Sequence, residues 1–407
     1  MATDRSNEVL ELASDAGHIL LENGAEISRV EETMKRIAEH YGEDREHFFV
    51  LSNGIFTTGQ SYANVDFIPI KGARLDKVVE VNQLSREITA GRHSLEEARA
   101  RLEQIRCLPE KPLWERILGG MLGSAAFCAI FGGSFMDCAA ALVAGTVTYV
   151  TLALLCAPRM SKALGNICSG AVGTLLCILF HRWGFGHSLG NMIIGTLIPL
   201  IPGAAFTNGL RDIADEDYLA GVTRLLDALL VFLSIAIGVC VTFLIHSFIA
   251  GGMIQLNGTL TDPVTALFPI QLAAAFLGTA AFAVLFGVPR KYYIPAGVVG
   301  MVGWAAYLLV VRFTPLSLVG GTLVASTIVA FLSRFFAVNL KCPGTVFLVC
   351  GEFPLIPGAG VFWSSYYVVS NHLGESLAAG LTAVKVTIAI VLGIIIAANV
   401  LHWKKML

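Results

Sequence analysis

The chain has 407 residues, of which 55% are hydrophobic and only 14% are charged, and its mean hydropathy is +0.70. Because an ordinary soluble protein carries about 25% charged residues, the composition excludes a set of soluble domains, a fibrous or disordered chain and a nucleic-acid-binding protein. The charge is also uneven, since residues 1–116 contain 15 Lys/Arg and 21 Asp/Glu, which is 36 of the 58 charged residues. This distribution predicts a polar domain of about a hundred residues followed by a polytopic membrane domain.

The N-terminal polar domain, which we call the head, is predicted to be a small α+β domain. Apolar residues at helical spacing predict four helices, and the segments HFFVLSNGIFTTG and NVDFIPI predict short strands between them. The helices are predicted at residues 6–23, 26–41, 75–90 and 94–106. Ser94 and Glu97 have the spacing of a capping box, which is typical of a helix start.

The head contains few candidate chemical groups. Gly24, Ala25 and Glu26, with Arg29 and Glu31, could hold a ligand, but a solvated helix face is the favoured interpretation. No HExxH pattern, phosphate-binding glycine loop or GxSxG pattern is present in a suitable context. The chain is therefore not predicted to be an enzyme, and neither a metal nor a cofactor is expected. Because the first residues lack an apolar signal core, we expect the head in the cytosol.

Ten apolar segments from Trp114 onward are long enough to cross about 30 Å of hydrocarbon. They are predicted at residues 114–133, 135–156, 165–183, 188–206, 218–246, 266–287, 293–311, 316–338, 343–366 and 376–402. With a cytosolic head, the inner loops and tail contain ten Lys/Arg and the outer loops contain only Arg182 and Arg312. This bias follows the positive-inside rule and predicts ten spans with both termini in the cytosol.

Two motifs recur at one spacing along the chain. LGSAAFCAIFGG at 122–133 matches LGTAAFAVLFGV at 277–288 at seven of twelve positions, and PLIPGA at 199–204 recurs at 354–359. Both pairs are 155 residues apart (277 − 122 and 354 − 199). The membrane domain is therefore predicted to contain two repeats of five spans. Because five is odd, the second repeat should be inverted relative to the first, as in many secondary transporters.

The predicted fold class is thus mainly α, with ten transmembrane helices in two inverted five-helix repeats after the α+β head. The expected domains are the head at 1–112, the first repeat at 113–250 and the second repeat at 264–403.

The repeated PLIPGA motif is the predicted substrate site. Proline removes a helical hydrogen-bond donor, and glycine adopts backbone angles that other residues avoid. Paired breaks in inverted repeats mark transporter binding sites, and the alternative is a structural kink. The candidate substrate-binding residues are Pro199, Pro202, Gly203, Asn208, Arg211, Pro354, Pro357, Gly358 and Ser364. Among these, Arg211 could attract a substrate carboxylate.

Three ionisable residues within the predicted spans are candidates for proton coupling, because charge inside a membrane is costly and usually functional. Glu352, two residues before Pro354, could carry the coupling proton or form an ion pair with Lys385. Asp227 lies one turn after Arg224, and a structural role for these two together is the favoured interpretation.

Three segments resemble the threonine/serine exporter family: LLENGAEISRVEETMKRIAEHYG, IPGAAFTNGLRDIADEDYLAGVTRLLDALL and PLIPGAGVFWSSYY. The resemblance implies a cytosolic N-terminal domain, ten spans and proton-driven efflux of threonine, serine or similar small amino acids. Some relatives divide the two parts between subunits and are linked to succinate export, so a dicarboxylate exporter is the alternative. A membrane-anchored enzyme or sensor acting through the head is the alternative from another class.

The expected location is the bacterial inner membrane. The expected partners are a small solute, protons and the lipid bilayer, without nucleic acid, and homo-oligomerisation is left open.

Overall fold

The computed structural model describes residues 2–43, 47–59, 62–69, 72–155, 160–252, 254, 256 and 267–406, so the predicted domain boundary at 264 lies outside the described residues. The head contains α1 (Ala2–Glu22), α2 (Ile27–His40), β1 (His47–Leu51), β2 (Gly54–Thr58), β3 (Ala63–Phe67), α3 (Leu75–Thr89) and α4 (Leu95–Arg106). The predicted α+β character of the head is confirmed.

The head packs its helices and sheet around apolar faces of α1 and α2. Leu12, Ile19, Val30 and Ile37 are at most 1% exposed, in keeping with their helical spacing. The sheet is antiparallel in the order β1-β2-β3. At the start of α4, the Ser94 hydroxyl accepts from the Glu97 amide while the Glu97 carboxylate accepts from the Ser94 amide. The predicted capping box is confirmed; such a cap contributes about 1 kcal/mol.

The membrane domain is helical. Its α-helices are α5 (Leu113–Ile130), α6 (Phe135–Leu155), α7 (Lys162–Arg182), α8 (Leu189–Leu197), α9 (Gly203–Ala214), α10 (Tyr218–Ala250), α11 (Phe268–Leu285), α12 (Tyr293–Phe313), α13 (Leu318–Leu340), α14 (Thr345–Gly351), α15 (Gly358–Val369) and α16 (Leu373–Met406). Short 3-10 turns follow α8 and α14 and precede α12.

The described part of the chain contains nine helices that are long and apolar enough to cross a membrane. One of the nine is Thr345–Val369, which joins α14 and α15. The pair α8 and α9 is bent by 70° and makes a tenth if it counts as one span. The protein is therefore a multi-pass membrane protein.

Helices in the second half of the membrane domain lie about 155 residues after their counterparts in the first half, which is also the spacing of the repeated motifs. Adding 155 to the bounds of α5 gives those of α11 (113 + 155 = 268; 130 + 155 = 285), and the same sum takes α9 to α15. Glu216 and Asn371, also 155 residues apart, both have a left-handed φ, of 71° and 61°. The repetition seen in two motifs thus extends to turns as well as helices.

The two corresponding helices α5 and α11 pack directly against each other. A Cβ on Gly123 would lie 3.0 Å from the Phe282 ring, and a Cβ on Gly278 would lie 3.0 Å from the Phe127 ring. The two rings meet edge to face, with centroids 5.3 Å apart. Because residue numbers rise along α5 while those of its partners fall along α11, the two helices are antiparallel.

Candidate functional site

The first PLIPGA motif interrupts a helix. After α8, residues Ile198–Leu200 form a 3-10 turn, and Pro202 precedes the first residue of α9, Gly203. Pro199 and Pro202 have no amide hydrogen to donate, so an α-helix cannot run undisturbed through this segment. The chain bends by 70° here.

The second motif has the same local structure. Residues Phe353–Leu355, with Pro354 at their centre, form a 3-10 turn, and Pro357 precedes the first residue of α15, Gly358. In the apolar part of Thr345–Val369, 83% of the residues are buried, the largest share among the nine spanning helices of the described chain. This break is therefore enclosed by protein.

The two breaks contact each other through corresponding residues. A Cβ on Gly203 would lie 2.1 Å from Phe353 and 3.3 Å from Ile356. A Cβ on Gly358 would lie 2.5 Å from Ile201, which is the residue that corresponds to Ile356 (201 + 155 = 356). Only glycine allows this approach without a shift of the neighbouring side chain. The structure thus brings together the two motifs that the sequence predicts as one site.

The first break lines a cavity of about 550 Å³, which we call the first-break cavity. Its wall includes four of the predicted substrate-binding residues: Pro199, Pro202, Gly203 and Asn208. Asn208 is 3% exposed, and its Oδ1 has no hydrogen-bond partner among the described residues. Ala204 and Ala205, in the first turn of α9, line the same cavity, and amides in a first helical turn have no intrahelical acceptor. An unpartnered acceptor and backbone donors therefore lie within one helical turn of each other.

The head docks onto this region through residues 24–26, which we call the docking turn. Asn208 Nδ2 donates to the Gly24 carbonyl at 2.6 Å, and Arg224 donates to the Ala25 carbonyl at 2.8 Å. The other guanidinium nitrogen of Arg224 lies 2.6 Å from Asp212, which also accepts from the Ile27 amide at 3.2 Å. The predicted association of Arg224 with Asp227 is wrong, because Asp212 is the buried carboxylate that faces Arg224.

Glu26 is the charged residue of the docking turn, and only 1% of its side chain is exposed. It lies 2.8 Å from Arg29 Nε and 3.2 Å from Arg211, and it accepts from the Thr345 hydroxyl. Burial alone would raise the pKa of Glu26, but the guanidinium groups of Arg211 and Arg29 and the Thr345 hydroxyl hold it at about 2. The favoured interpretation of this segment as a solvated helix face is wrong for Glu26, because its partners come from α9 and α14.

Glu352 is fully buried at the second break. Its Oε1 accepts from the Ser326 hydroxyl of α13 at 2.7 Å, while its Oε2 has no partner among the described residues. Ser326 also lies 3.1 Å from the Ile390 carbonyl of α16. A carboxyl group with one vacant oxygen is thus held where α13, α14 and α16 meet.

The other two ionisable candidates lie apart from Glu352. Lys385 is exposed on α16 and makes no ion pair or hydrogen bond within the described residues; the Glu352–Lys385 pair that the sequence left open is not formed. Asp227 is half exposed, lies 3.4 Å from Lys162 Nζ and lines the first-break cavity.

Arg211 and Ser364, two of the predicted substrate-binding residues, contact other residues of the chain. Arg211 pairs with Glu26 and lies 3.7 Å from Asp215. Ser364 donates to the Ser376 carbonyl at 3.0 Å, which joins α15 to α16. Sequence reasoning missed Ser326 and Thr345, since neither lies in a recognised motif.

Comparison with known proteins identifies the family. A family model described as threonine/serine exporter matches residues 11–246, more than half of the chain. The chain belongs to the threonine/serine exporter family. A second model with the description "Threonine/Serine exporter, ThrE" matches residues 271–400. The resemblance inferred from the three motifs is confirmed; the first match covers most of the head and α5–α9 with most of α10, and the second covers the later membrane helices.

Two curated members of the threonine/serine exporter family are similar along most of the chain. A "Threonine/serine exporter" of Corynebacterium glutamicum is 22% identical over 89% of this chain and 76% of its own length. A "Probable threonine/serine exporter" of Mycobacterium tuberculosis (strain ATCC 25618 / H37Rv) is 21% identical over 95% of this chain and 76% of its own length. No solved structure matches the chain.

Proposed function

We propose that the protein is a secondary transporter that exports threonine, serine or a similar small amino acid across the bacterial inner membrane, driven by the proton gradient. The observation that carries this proposal is the first-break cavity, where unpartnered polar groups of a broken helix line a space of about 550 Å³. The two bacterial relatives bear the name of threonine/serine exporter. Neither the head nor the membrane domain carries an enzyme motif that competes with transport.

An amino acid requires donors for its carboxylate and acceptors for its ammonium group. The first-turn amides around Ala204 and Ala205 are donors at the positive end of a helix dipole, which favours an anionic group. Asn208 Oδ1, one turn along α9, can accept from an ammonium or hydroxyl group. Arg211 is occupied by Glu26, so we assign carboxylate binding to the backbone amides.

We infer that the repeats are inverted and exchange conformations to open the site alternately to each side. The antiparallel packing of α5 against α11 supports this arrangement, as does the reciprocal contact between Gly203 and Gly358 and the opposite break. Repeats of this kind can rock against each other around a central site. Both termini are then cytosolic in a ten-span topology.

We assign proton coupling to Glu352. It is fully buried, it adjoins the second break, and one of its oxygens is vacant. Burial without a cationic partner penalises the charged form of a carboxyl group, so Glu352 binds a proton while it is enclosed and can release it when the transport cycle opens it to water, as a proton carrier must. Asp227 and Lys385 are both exposed, so we do not propose them for this role.

Transport by the purified protein in proteoliposomes tests the function. We expect efflux of labelled threonine and serine that is accelerated when protons flow in the opposite direction, and little efflux of succinate. Asn208→Ala removes the vacant acceptor together with the donor to Gly24 and should reduce efflux. The matched control is Asn399→Ala, the same change at an exposed position of α16. Efflux of succinate alone would show that the substrate is a dicarboxylate and not an amino acid. The absence of any efflux would contradict the proposal.

Labelling from each side of the membrane tests the inverted topology. Tyr218 and Leu373 are corresponding residues (218 + 155 = 373) at the starts of α10 and α16, and they are 61% and 65% exposed. In a cysteine-free background, Tyr218→Cys should react from the cytosolic side and Leu373→Cys from the outside. Reaction of both variants from one side would exclude inverted repeats.

A further inference from the structure

A second cavity, of about 410 Å³, lies between the head and the second repeat, and we call it the head cavity. The head contributes Arg29 and Arg86, α9 contributes Arg211, and α13 contributes Arg334. It is distinct from the first-break cavity, because Gly24 of the docking turn lines that cavity and Glu26 lines this one.

The charges that line the head cavity are not balanced. Its three acidic residues are Glu26, Glu32 and Asp215. All three have partners: Glu26 pairs with Arg29 and Arg211, Glu32 pairs with Arg36, and Asp215 accepts from Ser28 at 3.1 Å.

Two of the four arginines have no such partner. The side chains of Arg86 and Arg334 form no ion pair or hydrogen bond within the described residues, although both residues line the cavity. Arg86 lies at the end of α3 in the head and Arg334 lies on α13 in the membrane domain. Two unpaired guanidinium groups, an exposed one from the head and a partly buried one from the membrane domain, therefore line one open cavity.

A buried hydroxyl points to a ligand independently of these charges. Ser333 is 2% exposed and lines the head cavity, yet its Oγ has no hydrogen-bond partner among the described residues. Ser124, Ser234 and Ser365 each donate to a carbonyl of their own helix at 2.7–2.9 Å, and Ser333 makes no such bond. A buried polar atom without a partner is costly, and a bound group that accepts from it removes that cost.

We propose that the head cavity binds a small oxyanion, a carboxylate or phosphate group, between Arg86 of the head and Arg334 of the second repeat, with Ser333 as a third donor. Guanidinium groups recognise both kinds of oxyanion through paired N–H donors. Because the two arginines belong to different domains, the ligand fastens the head to the membrane domain. The cavity also ends near the proposed coupling group: Leu348, on its wall, is one helical turn before Glu352. The site therefore gives the head a role as a receptor for a cytosolic anion, beyond export itself.

Binding to the purified full-length protein in nanodiscs of zwitterionic lipid tests the site. The probes are inorganic phosphate and succinate at low ionic strength, with calorimetry and thermal unfolding as readouts. We expect saturable binding of at least one probe and a rise in unfolding temperature with its concentration. Arg86→Gln and Arg334→Gln should each weaken binding about tenfold or more, since each removes a charge-assisted hydrogen bond.

Two control variants and a second set of nanodiscs, which contain phosphatidylglycerol, distinguish binding of a free anion from binding of a lipid headgroup and from nonspecific binding. Arg92→Gln in the head and Arg312→Gln in the membrane domain remove exposed arginines outside the cavity and should leave binding unchanged. If only nanodiscs containing phosphatidylglycerol show an effect that the two cavity variants lose, the oxyanion is a lipid headgroup, and the proposed site stands. Absence of binding in every arm, or binding that survives both cavity substitutions, would overturn it. Since no arm measures transport, failure of the exporter proposal would leave this result unaffected.

Discussion

The two halves of the membrane domain have helices at corresponding positions but different chemistry. Leu197 in the first repeat corresponds to Glu352 in the second (197 + 155 = 352), and Ala171 corresponds to Ser326 (171 + 155 = 326). The first break opens onto the first-break cavity, whereas the second is enclosed and holds the vacant carboxyl group. In the proposed mechanism, the elements common to both halves move, the first half binds the solute and the second half binds the proton.

The largest expected effect follows from removing the carboxyl group that distinguishes the second repeat. Glu352→Gln keeps the size and the acceptor for Ser326, so the protein should fold, but it can no longer carry a proton. Threonine accumulation driven by a proton gradient should fall to background while exchange between equal pools continues. Glu375→Gln, the same change at an exposed position of α16, is the control. Normal accumulation in a folded Glu352→Gln variant would remove this residue from the mechanism.

The next largest effect concerns the head, which contacts both repeats. Glu26→Gln leaves Arg29 and Arg211 without their shared carboxylate and should cost about 3 kcal/mol of stability, as for other broken buried ion pairs. Glu32→Gln, 61% exposed, is the control and should cost little. Thermal unfolding of the purified variants measures both.

The pH dependence of stability in the wild type and the Glu26→Gln variant tests the ion pairs of Glu26 further. The pKa of Glu26 is about 2 in the folded protein against 4.5 ordinarily. A depressed folded-state pKa stabilises the protein above the ordinary value, and the contribution is lost as the pH falls toward the folded-state value. The difference in unfolding temperature between wild type and Glu26→Gln should therefore be constant above about pH 5 and shrink between pH 4.5 and 2. A difference that does not change with pH would contradict the assignment.

The smallest expected effect is the difference in stability between alanine variants of the two break glycines, Gly203 and Gly358. A Cβ on Gly203 would collide with Phe353, whose ring stacks on Phe282 at 3.8 Å and cannot move aside. A Cβ on Gly358 would meet the end of the Ile201 side chain, which borders a small apolar cavity and can rotate. We expect Gly203→Ala to cost about 2–3 kcal/mol and Gly358→Ala about 1 kcal/mol. Equal unfolding temperatures for the two variants would show that the breaks are packed alike.

The sequence predicted the local features well, because each depends on residues close together in the chain. Helical spacing placed the helices of the head, and two matched motifs predicted repeats that the turns at Glu216 and Asn371 also follow. Contacts between distant segments could not be predicted from one sequence. Arg211 and Glu26 are separated by 185 positions (211 − 26), and neither carries a signal for the other. The vacant oxygen of Glu352 depends likewise on which helix faces it.

The carboxylate of Glu26 contacts both halves of the membrane domain. Its Oε2 lies 3.2 Å from Arg211, on a helix of the first repeat, and accepts from the Thr345 hydroxyl, on a helix of the second. A rocking motion that slides one repeat past the other at this level must lengthen one of these two contacts. In the proposed transport cycle, the contacts of Glu26 with the two repeats would therefore break and re-form at each turnover, and their strength would set a barrier to the movement of the repeats.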